Sequence, residues 1–198
     1  MDIWLNETYP QIAKSAKEEY AEIYWIDETG LHNSSNYIKG YAPKGKTPVI
    51  PVASKHIRVN MVSAITNKGK LRFHFYKEKM NQDLFIDFLK RLIKSTPKKV
   101  YAIADNLPTH HGKQVRAWIE KNSDKINLFY LPAYSPELNP CEYLNNNLKQ
   151  EMVKKGYSKN EDEVQAKAMS SMRSIQSKKG RVPKFFDADG SRYARDDA

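Results

Sequence analysis

The chain has 198 residues, 40% hydrophobic and 28% charged, with 3 Trp, 12 Tyr and 7 Phe, which suffices for one core and excludes a disordered chain. One cysteine, Cys141, excludes an internal disulfide and a thiolate zinc cage and fits a reducing compartment, and no apolar run is longer than Val100 to Ala104, far short of the ~18 residues of a membrane span. The formal net charge is +10, and residues 31–100 carry 15 basic and 3 acidic side chains, so the expected partner is a polyanion.

In chain order, residues 9–20 read as a short helix after Tyr9-Pro10. Ile23 to Ile26 is a short apolar run of β formers, a buried strand that enters a turn at Asp27-Glu28-Thr29-Gly30. Residues 36–51 read as a loop punctuated by Gly40, Pro43, Gly45, Pro48 and Pro51. Aromatic, glycine and basic residues interleave there, which suits a surface that tracks a nucleic-acid backbone. Arg58 to Thr66 and Lys70 to Tyr76 form two strands around the hairpin signal Asn67-Lys68-Gly69. Asn81 to Ser95 is an amphipathic helix, with Leu84, Phe85, Phe88, Leu89, Leu92 and Ile93 at helical spacing. Val100 to Ala104 is a strand that ends at Asp105-Asn106, Gly112 to Asn122 a helix, and Ile126 to Leu131 a strand. Helices over about 140–154 and 160–178 follow, then a polar, irregular tail over 180–198.

This order predicts an α/β fold: a mixed five-stranded sheet, three strands antiparallel and then two parallel, flanked by helices. The single domain spans 1–198, with residues 1–20 as an N-terminal helical extension.

Asp27 and Asp105 each close a buried strand, and sites in α/β sheets gather at the carboxyl ends of strands. Two carboxylates there repel each other unless a cation lies between them, and magnesium, which takes oxygen ligands, meets that need. Glu142 is the candidate third ligand for a pair of ions, with Glu28, Glu137 and Glu151 as alternatives. Each acid also has a structural reading. Asp27 and Asp105 can start turns. Glu142 stands three residues after Asn139, the capping-box position of a helix whose first residue is Pro140. The combination of three acids, a basic flank and the neighbouring Asn106, His110 and His111 favours a site.

Three segments carry a resemblance: Ile23 to Gly30, Ile103 to His111, and Leu131 to Glu142 running on to Gln150. Tyr41 to Pro48 adds a fourth block. The chain resembles the catalytic domain of DDE transposases, in particular the bacterial insertion-sequence six-thirty branch of the mariner superfamily. The resemblance implies an RNase H-like fold. It implies that Asp27, Asp105 and Glu142 are catalytic and hold two Mg2+ ions, with Mn2+ as a substitute. It also implies cleavage of double-stranded DNA at transposon ends and joining to target DNA, by a dimer on DNA in the bacterial cytoplasm, associated with the nucleoid. Candidate DNA contacts are Asn106, His110, His111, Lys44, Lys46, Lys55, Arg58 and Lys149. One departure is Leu144-Asn145-Asn146, where many relatives have a Trp. A second is the expected absence of the N-terminal helix-turn-helix module, which leaves end recognition to another segment or a separate polypeptide. The alternative functions are an inactive DNA-binding remnant and another RNase H-like nuclease.

Overall fold

The computed structural model describes residues 2–33, 43–46 and 57–195. Five strands form one sheet: β1 (Glu22–His32), β2 (Arg58–Ile65), β3 (Leu71–Tyr76), β4 (Val100–Ala104) and β5 (Ile126–Tyr130). Their spatial order is β3-β2-β1-β4-β5, with β1–β2 and β2–β3 antiparallel and β1–β4 and β4–β5 parallel. The helices are α1 (Tyr9–Glu18), α2 (Gln82–Lys94), α3 (Lys113–Lys121), α4 (Pro140–Lys154) and α5 (Glu161–Ser177).

Side-chain alternation divides the core between the two faces of the sheet. Trp25, Met61, Ile65, Tyr101 and Ile103 face α1, α4, α5 and the C-terminal segment. Tyr24, Ile26, Val62, Ala64 and Ala102 face α2 and α3. Each buried Leu, Ile or Phe contributes about 1.5–3 kcal/mol. The helix starts follow their caps: Asn81 accepts from Leu84 N at 2.9 Å and Asn160 from Glu163 N at 2.9 Å. The hairpin turn places Gly69 at φ 94°, a conformation that favours glycine.

One expectation needs correction. β1 does not turn at Asp27: it continues to His32 because β2 pairs with it throughout, with Asp27 opposite Ser63. Residues 2–20 are largely helical: a π-helical turn over Trp4–Thr8 leads into α1, and Trp4, Tyr9 and Ile12 are buried. The tail is irregular, with two short 3-10 turns, yet Val182, Phe186 and Ala194 are core residues. Most of the expected loop over 36–51, and Lys55, lie outside the described residues.

Candidate active site

The register of β1 and β4 sets the geometry. Glu22 pairs with Val100 and Trp25 with Ile103, so Asp27 and Asp105 occupy one row of the same register, two residues past the last pair. Both share the parity of Trp25 and Ile103 and belong to the face covered by α4.

The start of α4 is fastened to β1 at three successive residues. Cys141 Sγ lies 3.0 Å from Trp25 O, Asn139 Nδ2 donates to Ile26 O at 3.1 Å, and Asn145 Nδ2 donates to Asp27 Oδ2 at 2.7 Å. Asn139 also caps the helix by accepting from Cys141 N at 3.0 Å. The capping-box reading of Glu142 does not hold, because the amide it would take, Asn139 N, already donates to Pro136 O at 2.9 Å. Asp27, Asp105 and Glu142 instead line one cleft of about 440 Å³, together with Asn106, Tyr134 and Asn139.

The electrostatics express this crowding. Burial pushes the Asp27 carboxyl well above the usual carboxylate range, and the charges of Glu142 and Asp105 push it further, against hydrogen bonds from Glu28 N and Asn145. Burial also raises Glu142; Lys149 opposes this and Asp105 adds to it. His110 responds in the other direction: burial lowers it, but hydrogen bonds and charges from Asp105 and Glu28 win and carry it up to about 9.

The candidate DNA contacts do not form one group. Asn106 is exposed at the cleft, hydrogen-bonded to His111, whose ring stacks on Tyr130 with centroids 3.8 Å apart. His110 is only 2% exposed, with both ring nitrogens engaged inside the protein, so its side chain offers no surface to DNA; that expectation is corrected. Lys149 lies on α4 close enough to Glu142 to act on its charge. Arg58 is exposed at the start of β2, with Nε donating to Asn60 Oδ1 at 2.7 Å and its guanidinium over Gly30. Lys44 and Lys46 are exposed in the short described stretch 43–46.

Of the alternative acids, Glu28 accepts from Tyr76 and His110 and Glu151 pairs with Lys154 at 3.1 Å; neither lines the cleft, nor does Glu137, which is exposed. The sequence reads Asn139 only as a helix cap and Asn145 only as part of a departure from the family; their bonds to Ile26 and Asp27 of β1 escape it. The available signal was the helical spacing of Asn145 from Glu142, one turn on, at the departure Leu144-Asn145-Asn146.

A family model described as DDE superfamily endonuclease matches residues 22–165. The chain belongs to this family. The solved structures similar to this DDE endonuclease include "Mos1 transposase paired-end complex with left transposon end", with TM-score 0.69 and 18% identity over 96% of this chain and 59% of that one. "Crystal structure of the Mos1 mariner paired end complex with Mn" gives TM-score 0.68 and 18% identity over the same shares, 96% and 59%. "Crystal structure of the catalytic domain of Mos1 mariner transposase" gives TM-score 0.60 and 18% identity over 96% of this chain and 88% of that one. The chain thus spans 59% of the Mos1 chain in the first two complexes. The shared fold is RNase H-like, as the order of strands and helices requires. No curated protein matches. Among the described residues, no helix is long and apolar enough to cross a membrane.

DDE endonucleases depend on divalent metal. The donor set here fits such an ion: three carboxylates, all hard oxygen donors, meet in one cleft, where the charges of Glu142 and Asp105 raise Asp27 and that of Asp105 raises Glu142, and a cation would relieve them. Among the described residues, no three His, Cys, Asp or Glu side chains are already drawn together as a ligand set.

Proposed function

We propose that this chain is the catalytic domain of a mariner-superfamily DNA transposase that cuts transposon-end DNA and joins the freed 3′ ends to target DNA. Asp27, Asp105 and Glu142 hold two Mg2+ or Mn2+ ions. Bound there, they would supply Lewis-acid activation of an attacking hydroxyl and charge neutralisation at the leaving oxygen of a phosphoryl transfer. The observation that carries this reading is the shared register row of Asp27 and Asp105 beneath the start of α4, where Glu142 joins them in one cleft.

The chain's own residues then have distinct tasks. Asn145 holds Asp27 Oδ2 and orients that carboxylate. Asn139 and Cys141 fix the start of α4 on β1 and so set where Glu142 enters the cleft. Asn106, paired with His111 at the rim, is placed to meet a phosphate. Lys149, Arg58, Lys44, Lys46 and Lys55 offer charge to the duplex backbone. The working form is a dimer on two DNA ends in the bacterial cytoplasm.

The test supplies a labelled duplex with a free 3′-hydroxyl and a supercoiled plasmid, with Mg2+, to the chain and to Asp105→Asn. Label joined to plasmid by the wild type alone supports the proposal. Metal-dependent cutting without joining points to another RNase H-like nuclease. DNA binding with neither reaction points to an inactive remnant.

A further inference from the structure

His110 bridges two acids carried by neighbouring strands. On one side its Nε2 lies 2.9 Å from Glu28 Oε1; on the other its Nδ1 lies 2.9 Å from Asp105 Oδ1 and 3.2 Å from the Asp105 main-chain oxygen. The main-chain oxygen of Asp105 only accepts, so Nδ1 carries a proton and donates to it, and Nε2 faces the Glu28 carboxyl. The ring is locked: it stacks on Phe85 of α2 with centroids 4.0 Å apart, and Tyr130 OH donates to His110 O at 2.9 Å. Glu28 is held in turn by Tyr76 OH at 3.4 Å. Glu28 follows Asp27 on β1 and points to the opposite face, so one strand supplies an acid to the cleft and the anchor for its counterpart.

Asp105 Oδ1 is sealed from solvent beside the ring, in charge contact with Nδ1 while the hydrogen bond of Nδ1 goes to the main-chain oxygen, and the Asp105 side chain as a whole is 37% exposed. The exposure therefore belongs to the other side of the carboxylate, which faces the cleft. We propose that the Glu28–His110 pair is a positioning device: it occupies one oxygen of Asp105, fixes the carboxylate's rotation, and turns the second oxygen to the metal-binding cleft. This rests on the reading of Asp105 as a metal ligand. Partners that orient a ligand from behind are commonly worth about 10–100-fold in metal affinity.

The experiment titrates Mn2+ into the full chain without DNA by calorimetry, with a thermal melt of each metal-free variant. Glu28→Gln and His110→Gln are expected to weaken Mn2+ binding by about 10–100-fold. His110→Asn places its amide nitrogen near the Nδ1 position and keeps a donor on Asp105, so it retains tighter binding than His110→Gln. A purely structural role predicts the reverse, since Gln fills more of the space against Phe85. Should the His110 variants fail to fold, the near-isosteric Glu28→Gln decides the matter. If Asp105→Asn loses Mn2+ binding while folded Glu28→Gln and His110→Gln bind as the wild type does, the inference is overturned. If Asp105→Asn itself binds Mn2+ unchanged, the metal-ligand reading falls instead.

Discussion

Asp27→Asn should abolish activity and yet stabilise the metal-free protein. Asp27 is buried beside two other acids, and burial and both neighbours oppose its charge. Adjacent strands lie ~4.8 Å apart, which sets register-matched carboxylates on one face about 5–7 Å apart. At an effective dielectric of about 20, each such pair of charges repels by about 2–3 kcal/mol. The protein evades part of this by holding a proton, so relief of about 1–3 kcal/mol is expected, or a rise of roughly 2–10 °C in melting temperature at this chain length. Asn also presents an oxygen to the Asn145 amide, so that hydrogen bond survives.

The pH dependence has a definite sign. A carboxyl whose folded-state pKa is raised gives its full stability below its unfolded value, about 3.9, and loses it as pH climbs through the folded value. The advantage of Asp27→Asn is therefore absent near pH 3, opens above it and is complete once the folded carboxyl ionises. Thermal unfolding in EDTA at pH 4 and pH 7.5 measures this, and added Mg2+ should raise the wild-type melting temperature more than the variant's. A variant less stable than wild type in EDTA at pH 7.5 would refute the argument that these acids strain the empty cleft.

Asn145→Leu strips Asp27 of its side-chain donor and should reduce strand joining at least tenfold, with a stability cost of about 1–3 kcal/mol read from denaturant unfolding. Phe186→Ala, in the tail, should cost about 3–5 kcal/mol in the same assay, because its ring is fully buried against Trp25, 5.0 Å between centroids. Lys149→Ala should flatten the salt dependence of duplex binding by about 0.9 log units if Lys149 holds one phosphate, as filter binding across a salt series would show.

The strands and helices were legible because their signals are local: apolar runs, helical spacing, and Asn or Pro at the starts of α2, α4 and α5. Asp105 and Glu142 were legible as acids at the end of a strand and the start of a helix, Asp27 as an acid after an apolar run, and all three through the resemblance. The errors arose where distant chain decides. Nothing within residues 27–32 says that β2 will pair along them and extend β1 past Asp27. The tail looks polar because Phe185 and Phe186 are flanked by charge, yet Gly190 leaves room for Glu137 O, which a Cβ would meet at 2.4 Å, and Tyr193 OH donates to Leu138 O at 2.8 Å. The tail thus supports the loop that leads into Glu142. His110 beside His111 reads as a polar pair at a helix start, and only the fold separates the buried one from the one at the rim.

The two aspartates are also held differently. Asp27 lies within a continuous strand and its backbone is fixed by β2, so its remaining freedom is side-chain rotation, which Asn145 restricts. Asp105 lies just past the end of β4, where strand pairing no longer fixes the backbone. A single contact to its carboxylate would leave the main chain free to move. His110 meets both the main-chain oxygen and the carboxylate, and Glu28 fixes His110 from the strand that carries Asp27. The separation between the two acids is thereby set through β1 itself. That is the quantity a divalent metal held between both carboxylates would require to be constant.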